Sequence, residues 1–599
     1  MQARITTPSE YDAFRPVENA KLSLLFLTRM TDAAYGHLPY SLFAPMHDTP
    51  FAEHGRRDDA EMVASWYEGI SCAREILATD DGADVEKALR KLLLEEGWDE
   101  ASGLRFPVSR PWSGTLEYTL IAETAIILSA LNRMVECDRN DALAERRAKS
   151  LVRGLRKCAT ERNYRALSHG EVPLGYPCYS FESDVIVKGK GFDLSVSTGF
   201  SDATLRYSAL IDPLTQRHIL TGDSVALNLA IGIANRIVML SRFFSVRTEF
   251  IGSTYAALTT ATGLVRLGVI TDNERYTQTA KGIYDFVRRH TSAFGWVPEY
   301  IDWQLPSEDR CSGCGVGAMI KCAAELADNG YPEYLDDIHR FWRNHLEESQ
   351  LTDTSFLPKS PVQQHDTERR TWREIPRRFL GAASGGTAVN YLQFTRSAAI
   401  SPCCSAALPQ AMLTAWRRTA VSTPSDGILI NFPVNYETDK IKVTVGYPNE
   451  GYVRAEIKKA AKIVFRVYGW MGPVLEGKIN GRPALFERHD DFVSFGEQPA
   501  DTVAELSHVL KVRRVMENVM GMDFFGVWRG PDMVDLLPRG FPVRLYQRVA
   551  GQAPEVPDNF ASTRSRGDLV PLPDPPGFKD KKISNRKPMK GKSWADDKA

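Results

Sequence analysis

The change from a helical to a strand-rich pattern falls within one stretch, SPCCSAALPQAMLTAWRRTAVSTPSDGILINFPV (Ser401–Val434). Its first half carries small and apolar residues at three- and four-residue spacing, which predicts a helix over Ala406–Thr419. Its second half carries the turn signal SDG and then the apolar run GILINFPV, which predicts a strand. The chain therefore changes structural class between about residues 420 and 425.

Upstream of this stretch, from about residue 17 to 420, the periodicity is helical. Some segments are apolar nearly all round, as in SVALNLAIGIANRIVML, whereas others, as in NERYTQTAKGIYDFVRRH, are amphipathic. Alternation of fully buried and half-buried helices predicts an inner ring of helices enclosed by an outer ring, an (α/α) toroid over residues 1–420. A conventional helical bundle is the alternative, but so many helices cannot share one bundle core.

Downstream, short runs rich in Val, Ile, Phe and Tyr alternate with turn signals such as NEG, NGR and GEQPAD. This pattern predicts an antiparallel β-sandwich over residues 421–550. Residues 551–599 are rich in Pro and then in Lys, with few apolar residues, which predicts a disordered tail.

Bulk composition excludes several classes of partner. The 599 residues carry a formal net charge of −1 and a sequence pI near 6.9, which gives no reason to expect a nucleic acid. No apolar run approaches the ~20 residues of a membrane span. The N-terminus has no readable secretory signal and the nine cysteines are odd in number, so we expect reduced thiols and a cytoplasmic protein. The oligomeric state stays open, a homodimer included.

Two cysteine motifs stand out from the nine cysteines. The first, DRCSGCGVG, holds Asp309, Cys311 and Cys314, and the second is the pair Cys403 and Cys404. Two thiolates on one turn can reach a single tetrahedral ion, and a second motif can complete its shell, so we predict a zinc site. Both motifs open predicted helices, whose N-termini favour the thiolate form.

An acidic and aromatic loop, FGWVPEYIDWQLPSEDR, precedes the first cysteine motif. A carboxyl group against aromatic walls suits a general acid, although a solvated acidic loop is an equally good interpretation. Helix capping and a self-packed turn are the alternatives for the more distant aromatic candidates. The side chains predicted to contact a substrate are Trp296, Tyr300, Asp302, Trp303, Tyr176, Tyr179 and Trp112.

An ordered series of motifs resembles the β-L-arabinofuranosidases of glycoside hydrolase family 127 (GH127). The series runs from PEYI through Leu305-Pro306, the Cys311/Cys314 element and the Cys403-Cys404 pair to DGILIN, FRVYGW and GVWRGP. The resemblance covers about half the chain. It implies an (α/α)6 barrel with β-sandwich domains, a carbohydrate substrate and a retaining glycosidase mechanism. By the same resemblance Cys403 would be the nucleophile, Cys404 a zinc ligand and Glu299 the acid/base.

The sequence departs from the family pattern at the metal site and in the pocket. The Glu-x-Cys ligand pair appears as Asp309-Arg310-Cys311, or is replaced by Cys311 and Cys314 in a closed four-cysteine site. The segment FIGSTY (Phe250–Tyr255) lacks an expected histidine, so we expect a plant- or microbe-derived glycoside other than a β-L-arabinofuranoside. The alternatives are a non-hydrolytic carbohydrate-binding or structural protein with a closed zinc site, and an unsaturated-uronyl hydrolase or lyase.

Overall fold

The structure is a computed structural model. It describes residues 10–113, 117–161, 177–192, 207–240, 243–301, 310–360, 365–392, 400–423, 427–540 and 543–548. The tail predicted over 551–599 lies outside these residues. Within them, no helix combines the length and the apolar character that crossing a bilayer requires.

Helices fill the first two thirds of the described chain. The α-helices are α1 Pro16–Arg29, α2 Val63–Leu77, α3 Ala83–Glu95, α4 Ile121–Cys137, α5 Ala142–Cys158, α6 Ile211–Thr221, α7 Ser224–Asn235, α8 Thr254–Thr271, α9 Glu274–Arg289, α10 Gly313–Asp328, α11 Leu335–Phe341, α12 Ile375–Arg378 and α13 Pro402–Trp416. Single π-helical turns occur at Asp58–Met62, Arg236–Leu240 and Trp342–Leu346, and 3₁₀ turns at Ala33–Tyr35, Pro332–Tyr334 and Gly469–Met471.

Six of these helices form a closed ring. Helices α2, α4, α6, α8, α10 and α13 each pack on the next, and α13 packs back on α2. Helices α1, α3, α5, α7, α9 and α11 pack outside them. The inner helix α8 is buried on most sides, whereas the outer helix α9 buries a single face. Close packing in the ring requires a small residue at Gly69, where an added Cβ would lie 2.8 Å from the Ala406 carbonyl oxygen.

Short strands connect the helices, and a sheet-rich region follows α13. The strands among the helices are β1 Thr31–Asp32, β2 Leu38–Pro39, β3 Leu42–Ala44, β4 Phe51–Glu53, β5 Tyr118–Leu120, β6 Thr160–Glu161, β7 Tyr179–Ser180, β8 Val185–Val187, β9 Gly191–Phe192, β10 Gly252–Ser253, β11 Tyr300–Ile301, β12 Arg370–Thr371 and β13 Tyr391–Leu392. Those that follow are β14 Ala420–Ser422, β15 Gly427–Ile430, β16 Tyr436–Glu437, β17 Ile441–Val445, β18 Tyr452–Ile457, β19 Ala461–Arg466, β20 Leu475–Ile479, β21 Arg482–Pro483, β22 Glu487–His489, β23 Phe492–Gln498, β24 Thr502–His508, β25 Val512–Val519, β26 Met522–Arg529, β27 Asp532–Leu537 and β28 Val543–Arg544.

Two sheets share one apolar core in this region. The first has the order β14-β15-β19-β23-β22 and the second β16-β17-β18-β24-β20-β21. Alternate residues of both sheets, such as Ile463 and Phe465 on one and Val453 and Ala455 on the other, are buried together. The predicted sandwich is antiparallel throughout, but β15 and β19 pair in parallel. They do so because the chain crosses to the second sheet after β15 and returns to the first at β19.

A third sheet, β25-β26-β27, joins the sheet-rich region to the ring. Its inward residues Phe524, Trp528 and Met533 belong to the same apolar core as the helices. A buried ion pair crosses this interface, where Nε and Nη2 of Arg343 donate to the two carboxylate oxygens of Asp532 at 2.7 and 2.9 Å. Arg548 Nη1 donates to the same carboxylate at 3.3 Å. Asp532 therefore balances two buried guanidinium groups.

We expect Asp532→Asn to destabilise the protein because it leaves the buried Arg343 guanidinium without its carboxylate partner, whereas Arg548 keeps Glu347 and Glu348. Breaking a buried pair from one side costs about 3–5 kcal/mol, so the thermal unfolding midpoint should fall by several degrees. The matched control is Asp439→Asn, which removes an exposed carboxylate paired with Lys459 and should leave the midpoint unchanged. Equal midpoints for Asp532→Asn and the wild-type protein would contradict the role of this interface.

Candidate active site

Three cysteine sulfurs meet at one end of the ring. Cys314 lies in the first turn of α10, and Cys403 and Cys404 lie in the first turn of α13. Their sulfur atoms all lie within 4.8 Å of one another, and the Sγ atoms of Cys314 and Cys404 are 3.4 Å apart. The three thiols could hold a single metal ion.

Local sequence explains why these two helices begin here. The Ser312 hydroxyl accepts the Gly315 N–H at 3.3 Å and so caps α10, while Pro402 occupies the first turn of α13, where a missing N–H costs nothing. At Gly313 an added Cβ would lie 3.5 Å from Cys404 Cβ, an ordinary contact, and 3.3 Å from the Ser384 carbonyl oxygen, a tighter one. Both helix N-termini therefore direct their positive ends toward the sulfurs.

One sulfur of the three is favoured as the thiolate. Hydrogen bonds from Cys314 and Cys404 hold the pKa of Cys403 well below the usual thiol range, against the opposing effect of burial, and the Arg57 guanidinium contributes to the same shift. The Ser401 hydroxyl lies 3.0 Å from Cys403 Sγ. The pKa values of Cys314 and Cys404 are raised, chiefly because their protons are shared with the neighbouring sulfurs. The group thus holds one negative charge between two thiol donors.

Cys311 does not belong to this group of sulfurs. Its backbone exchanges two hydrogen bonds of 2.8 Å with Thr387, and its Sγ accepts the Val297 N–H at 3.5 Å. The thiol is buried, which raises its pKa to about 12. The described residues therefore bring three sulfurs together, whereas one of the two ligand sets suggested by the sequence had four. The other set includes Asp309, which lies outside the described residues.

Glu299 lies at the same end of the ring. Its carboxylate forms an ion pair with Arg310, and its backbone N–H donates to the Arg310 carbonyl at 2.8 Å. Its own carbonyl accepts the Thr254 N–H at 3.0 Å, so Glu299 is held at the start of α8. The side chains of Glu299 and Arg310 are each 18% exposed, which leaves both within reach of a ligand.

Three further side chains, absent from the candidates chosen by sequence, also line this end of the ring. Arg57 pairs with Glu61, and its charge favours the thiolate form of Cys403. Burial raises the pKa of Glu61, and charge on Cys403 adds to that rise. Tyr255 follows Thr254 and is 39% exposed. Partial withdrawal of its hydroxyl from water, together with the charges of Cys314 and Cys403, raises its pKa, so its phenol stays protonated. The charge run RRDDAEM before α2 was the available signal for the first two.

The side chains predicted to contact a substrate divide into three groups. Trp296 is fully buried and donates its indole N–H to the Thr387 carbonyl at 3.2 Å, so it packs in the core instead of lining the opening. Tyr179 is likewise buried, beneath the Arg156 guanidinium. Tyr300 and Trp112 are half-buried. The remaining three, Asp302, Trp303 and Tyr176, lie outside the described residues.

Comparison with known proteins gives no match by sequence, since neither a protein-family model nor a curated protein matches the chain. Solved structures do match. A GH127 β-arabinofuranosidase aligns with a TM-score of 0.54 at 14% identity, over 86% of this chain and 79% of the other. The fold is that of GH127. The resemblance seen in the sequence is thereby confirmed at the level of the fold.

Two further structures give the same result. A GH127 β-L-arabinofuranosidase from Geobacillus stearothermophilus T6 aligns with a TM-score of 0.51 at 14% identity, over 86% of this chain and 79% of that one. A protein described as a glycoside hydrolase aligns with a TM-score of 0.55 at 11% identity, over 87% and 81% of the two chains. The GH127-like fold therefore spans both the helical ring and the sheets.

We expect Cys403 to be the first cysteine alkylated by iodoacetamide at pH 7 after a chelator has removed any bound metal. Its lowered pKa makes it a thiolate at that pH, so its rate should change little between pH 7 and 9. Cys137 is an exposed residue that serves as a comparison in the same molecule. Its sulfur is partly shielded from water beside Ser71, which raises its pKa, so its rate should climb through that range. Peptide mass spectrometry measures both. Parallel pH profiles for the two cysteines would contradict the assignment of the charge to Cys403.

Proposed function

We propose that the protein is a retaining glycoside hydrolase that reacts through Cys403, with Glu299 as acid and base. The observation that carries this proposal is the meeting of three thiols, one favoured as thiolate, at the opening of a ring with the GH127-like fold. Six inner and six outer helices support the (α/α)6 toroid that the sequence resemblance implies. Glu299 and its Arg310 partner lie at the same opening.

The donor set fits zinc. Tetrahedral zinc binds thiolates at about 2.3 Å, which requires sulfurs roughly 3.8 Å apart. Cys314, Cys403 and Cys404 meet this requirement within small side-chain movements. Bound there, zinc would keep the sulfurs deprotonated and temper the basicity of Cys403.

The number of thiols favours a reactive site over a closed structural one. Structural zinc sites usually have four protein ligands, whereas catalytic sites have three and keep one position for water or substrate. Because Cys311 stands apart with its own partners, the described cysteines supply three ligands. This arrangement supports the enzyme over the non-hydrolytic alternative.

The proposed reaction assigns one role to each of the two groups. Cys403 Sγ attacks the anomeric carbon, a C–S bond forms as the glycosidic C–O bond breaks, and the Glu299 carboxyl gives its proton to the leaving oxygen. Water then attacks the same carbon, its proton passes to Glu299, and the C–S bond breaks to restore the thiolate. Two displacements retain the anomeric configuration.

Arg310 sets a condition on the first step. A guanidinium beside a carboxyl group favours its ionised form, which has no proton to give. Glu299 must therefore leave Arg310, or exchange it for the substrate, before it can act as the acid. The pairing suits the second step directly, in which Glu299 works as the base.

The pocket walls favour a sugar other than β-L-arabinofuranose. The family places histidines around its furanose hydroxyls. Here the N-cap of α8 is Ser253, and the helix begins with Thr254 and Tyr255. The Tyr255 phenol and the Arg57–Glu61 pair offer a different set of donors and acceptors at this opening. We therefore propose a glycoside with a hydroxyl pattern unlike that of the arabinofuranoside.

A substrate is first identified with a panel of aryl glycosides that includes furanosides and deoxy sugars. Two cysteine variants then test the site. We expect Cys403→Ser to abolish turnover while the fold is retained. Cys314→Ala should reduce zinc from about one per chain to near zero. Cys137→Ser, which changes an exposed thiol outside the group, should alter neither property. Turnover and elemental analysis on the same preparations give the result.

The outcomes separate the hypotheses. Undiminished turnover by Cys403→Ser would exclude it as the nucleophile. Zinc retained in Cys314→Ala would exclude the three-thiol site. Loss of metal and thermal stability in Cys403→Ser, from a wild-type protein that turns over no glycoside, would favour the structural alternative.

A further inference from the structure

Backbone hydrogen bonds hold Glu299 on both sides of its Cα. Strands β10 and β11 pair in antiparallel register, with Ser253 opposite Tyr300. The same register brings Thr254, the first residue of α8, opposite Glu299, and the Thr254 N–H donates to the Glu299 carbonyl at 3.0 Å. The Glu299 N–H donates in turn to the Arg310 carbonyl at 2.8 Å. Glu299 is therefore bound both to the start of α8 and to the segment before α10.

The Thr254 side chain contacts the peptide group that precedes Glu299. Its hydroxyl lies 2.7 Å from the Pro298 carbonyl oxygen and 3.1 Å from the Glu299 carbonyl oxygen. Because a hydroxyl has one proton, it donates chiefly to the nearer oxygen, that of Pro298. Thr254 and Pro298 are both buried, so loss of the hydroxyl would remove a donor from a buried carbonyl.

These contacts fix the direction in which the Glu299 side chain leaves the backbone. A peptide group is planar, and each residue has only two backbone dihedral angles. The preceding peptide is bound through the Pro298 carbonyl and the Glu299 N–H, and the following peptide is bound through the Glu299 carbonyl. With both planes fixed, the carboxylate can move only by rotation about the side-chain bonds.

Thr254 is a firm anchor because it belongs to the inner ring. Helix α8 packs on α6 and α10, and Thr254 is completely buried in its first turn. The first N–H groups of a helix have no partner within the helix, and here one of them binds Glu299. The Ser253 hydroxyl accepts the Ala256 N–H at 3.3 Å and so caps the same turn.

The carboxylate of Glu299, in contrast, lies at the opening. It is paired with Arg310, and the Glu299 side chain is 18% exposed. In the proposed reaction this carboxylate leaves Arg310 for the leaving oxygen and then serves as the base toward water. A fixed main chain suits a group that performs both steps, because a misplacement of ~1 Å can cost a factor of about a hundred in rate.

We propose that Thr254 is a positioning residue, which holds the main chain of Glu299 against α8 while the carboxylate turns between Arg310 and the leaving oxygen. It acts through Glu299 and not on the sugar. The inference rests on the proposed function in one respect, that Glu299 is the acid and base. The alternative is that Thr254 serves only the packing and the start of α8.

The test compares two glycosides of the sugar that the panel identifies, which need the acid to different extents. Phenol is a poor leaving group and requires protonation of the glycosidic oxygen, whereas dinitrophenol departs as a stable anion. A misplaced acid therefore slows the phenyl glycoside selectively. We expect Thr254→Val to lower kcat/KM roughly ten- to a hundred-fold on the phenyl glycoside and less than about two-fold on the dinitrophenyl glycoside.

Matched variants calibrate this comparison. Glu299→Gln should show the same selective loss to a larger extent, and Thr254→Ser, which keeps the hydroxyl, should restore most of the activity on the phenyl glycoside. Thr262→Val removes another buried hydroxyl of α8, which donates to the Leu258 carbonyl at 2.9 Å, and should affect neither glycoside. Should Thr254→Val fail to fold, Thr254→Ala removes the hydroxyl without putting a methyl group in its place.

Hydrogen exchange measured by mass spectrometry tests the anchor without a sugar. The peptide covering Val297–Ile301 should exchange faster in Thr254→Val than in the wild-type protein or in Thr262→Val, because the segment has lost one of its attachments to α8.

Three results would overturn the inference. These are equal losses on the two glycosides in Thr254→Val, a Thr254→Ser variant as impaired as Thr254→Val, and unchanged exchange of the Val297–Ile301 peptide. Glu299→Gln without a selective loss on the phenyl glycoside, but with faster exchange in Thr254→Val, would count against the proposed function alone, because the anchor is measured without a sugar.

Discussion

Negative charge on a sulfur withdrawn from water must be compensated, and the Cys403 thiolate is the charge on which the site depends. Desolvation of an isolated anion costs several kcal/mol, so the surrounding groups have to supply donors and positive charge. Here Cys314 and Cys404 share protons with the sulfur, Ser401 lies 3.0 Å away, and the positive charge of Arg57 favours the anion. The first turns of α10 and α13 add their dipoles. The closed ring of inner helices brings these groups together.

The sheet-rich region holds the segment that carries Cys314 in place. His345 follows Arg343 in a π-helical turn; its imidazole contacts the Tyr546 hydroxyl and, at 2.9 Å, the Thr387 hydroxyl. Burial lowers the pKa of His345 to about 3, so it stays neutral and links two hydroxyls without adding charge. Thr387 in turn pairs with Cys311, the residue before the Ser312 cap. The segment that carries Cys314 is thus held from the sheet side.

Much of the fold follows from local pattern, because helical and strand periodicity are local properties. Local pattern predicts that helices precede strands in the chain and that a helix begins near Cys403 and Cys404. The parallel pairing of β15 with β19 depends on a crossover that no local signal records. Which of Cys311 and Cys314 joins the sulfurs of Cys403 and Cys404 depends on where α10 begins, because the spacing C-x-x-C is compatible with either cysteine. Arg57 carries no sequence signal of its relation to Cys403, because the two residues lie on different elements that only the folded ring brings near.

The most direct measurement of the central claim is covalent trapping of the reacting side chain. A deactivated glycoside with a good leaving group, matched to a sugar that the protein hydrolyses, is incubated with the protein, and the labelled peptide is sequenced by mass spectrometry. The account predicts one sugar per chain, attached to the sulfur of Cys403 and absent from Cys403→Ser. A sugar on Glu299, on Glu61 or on any other side chain would contradict it.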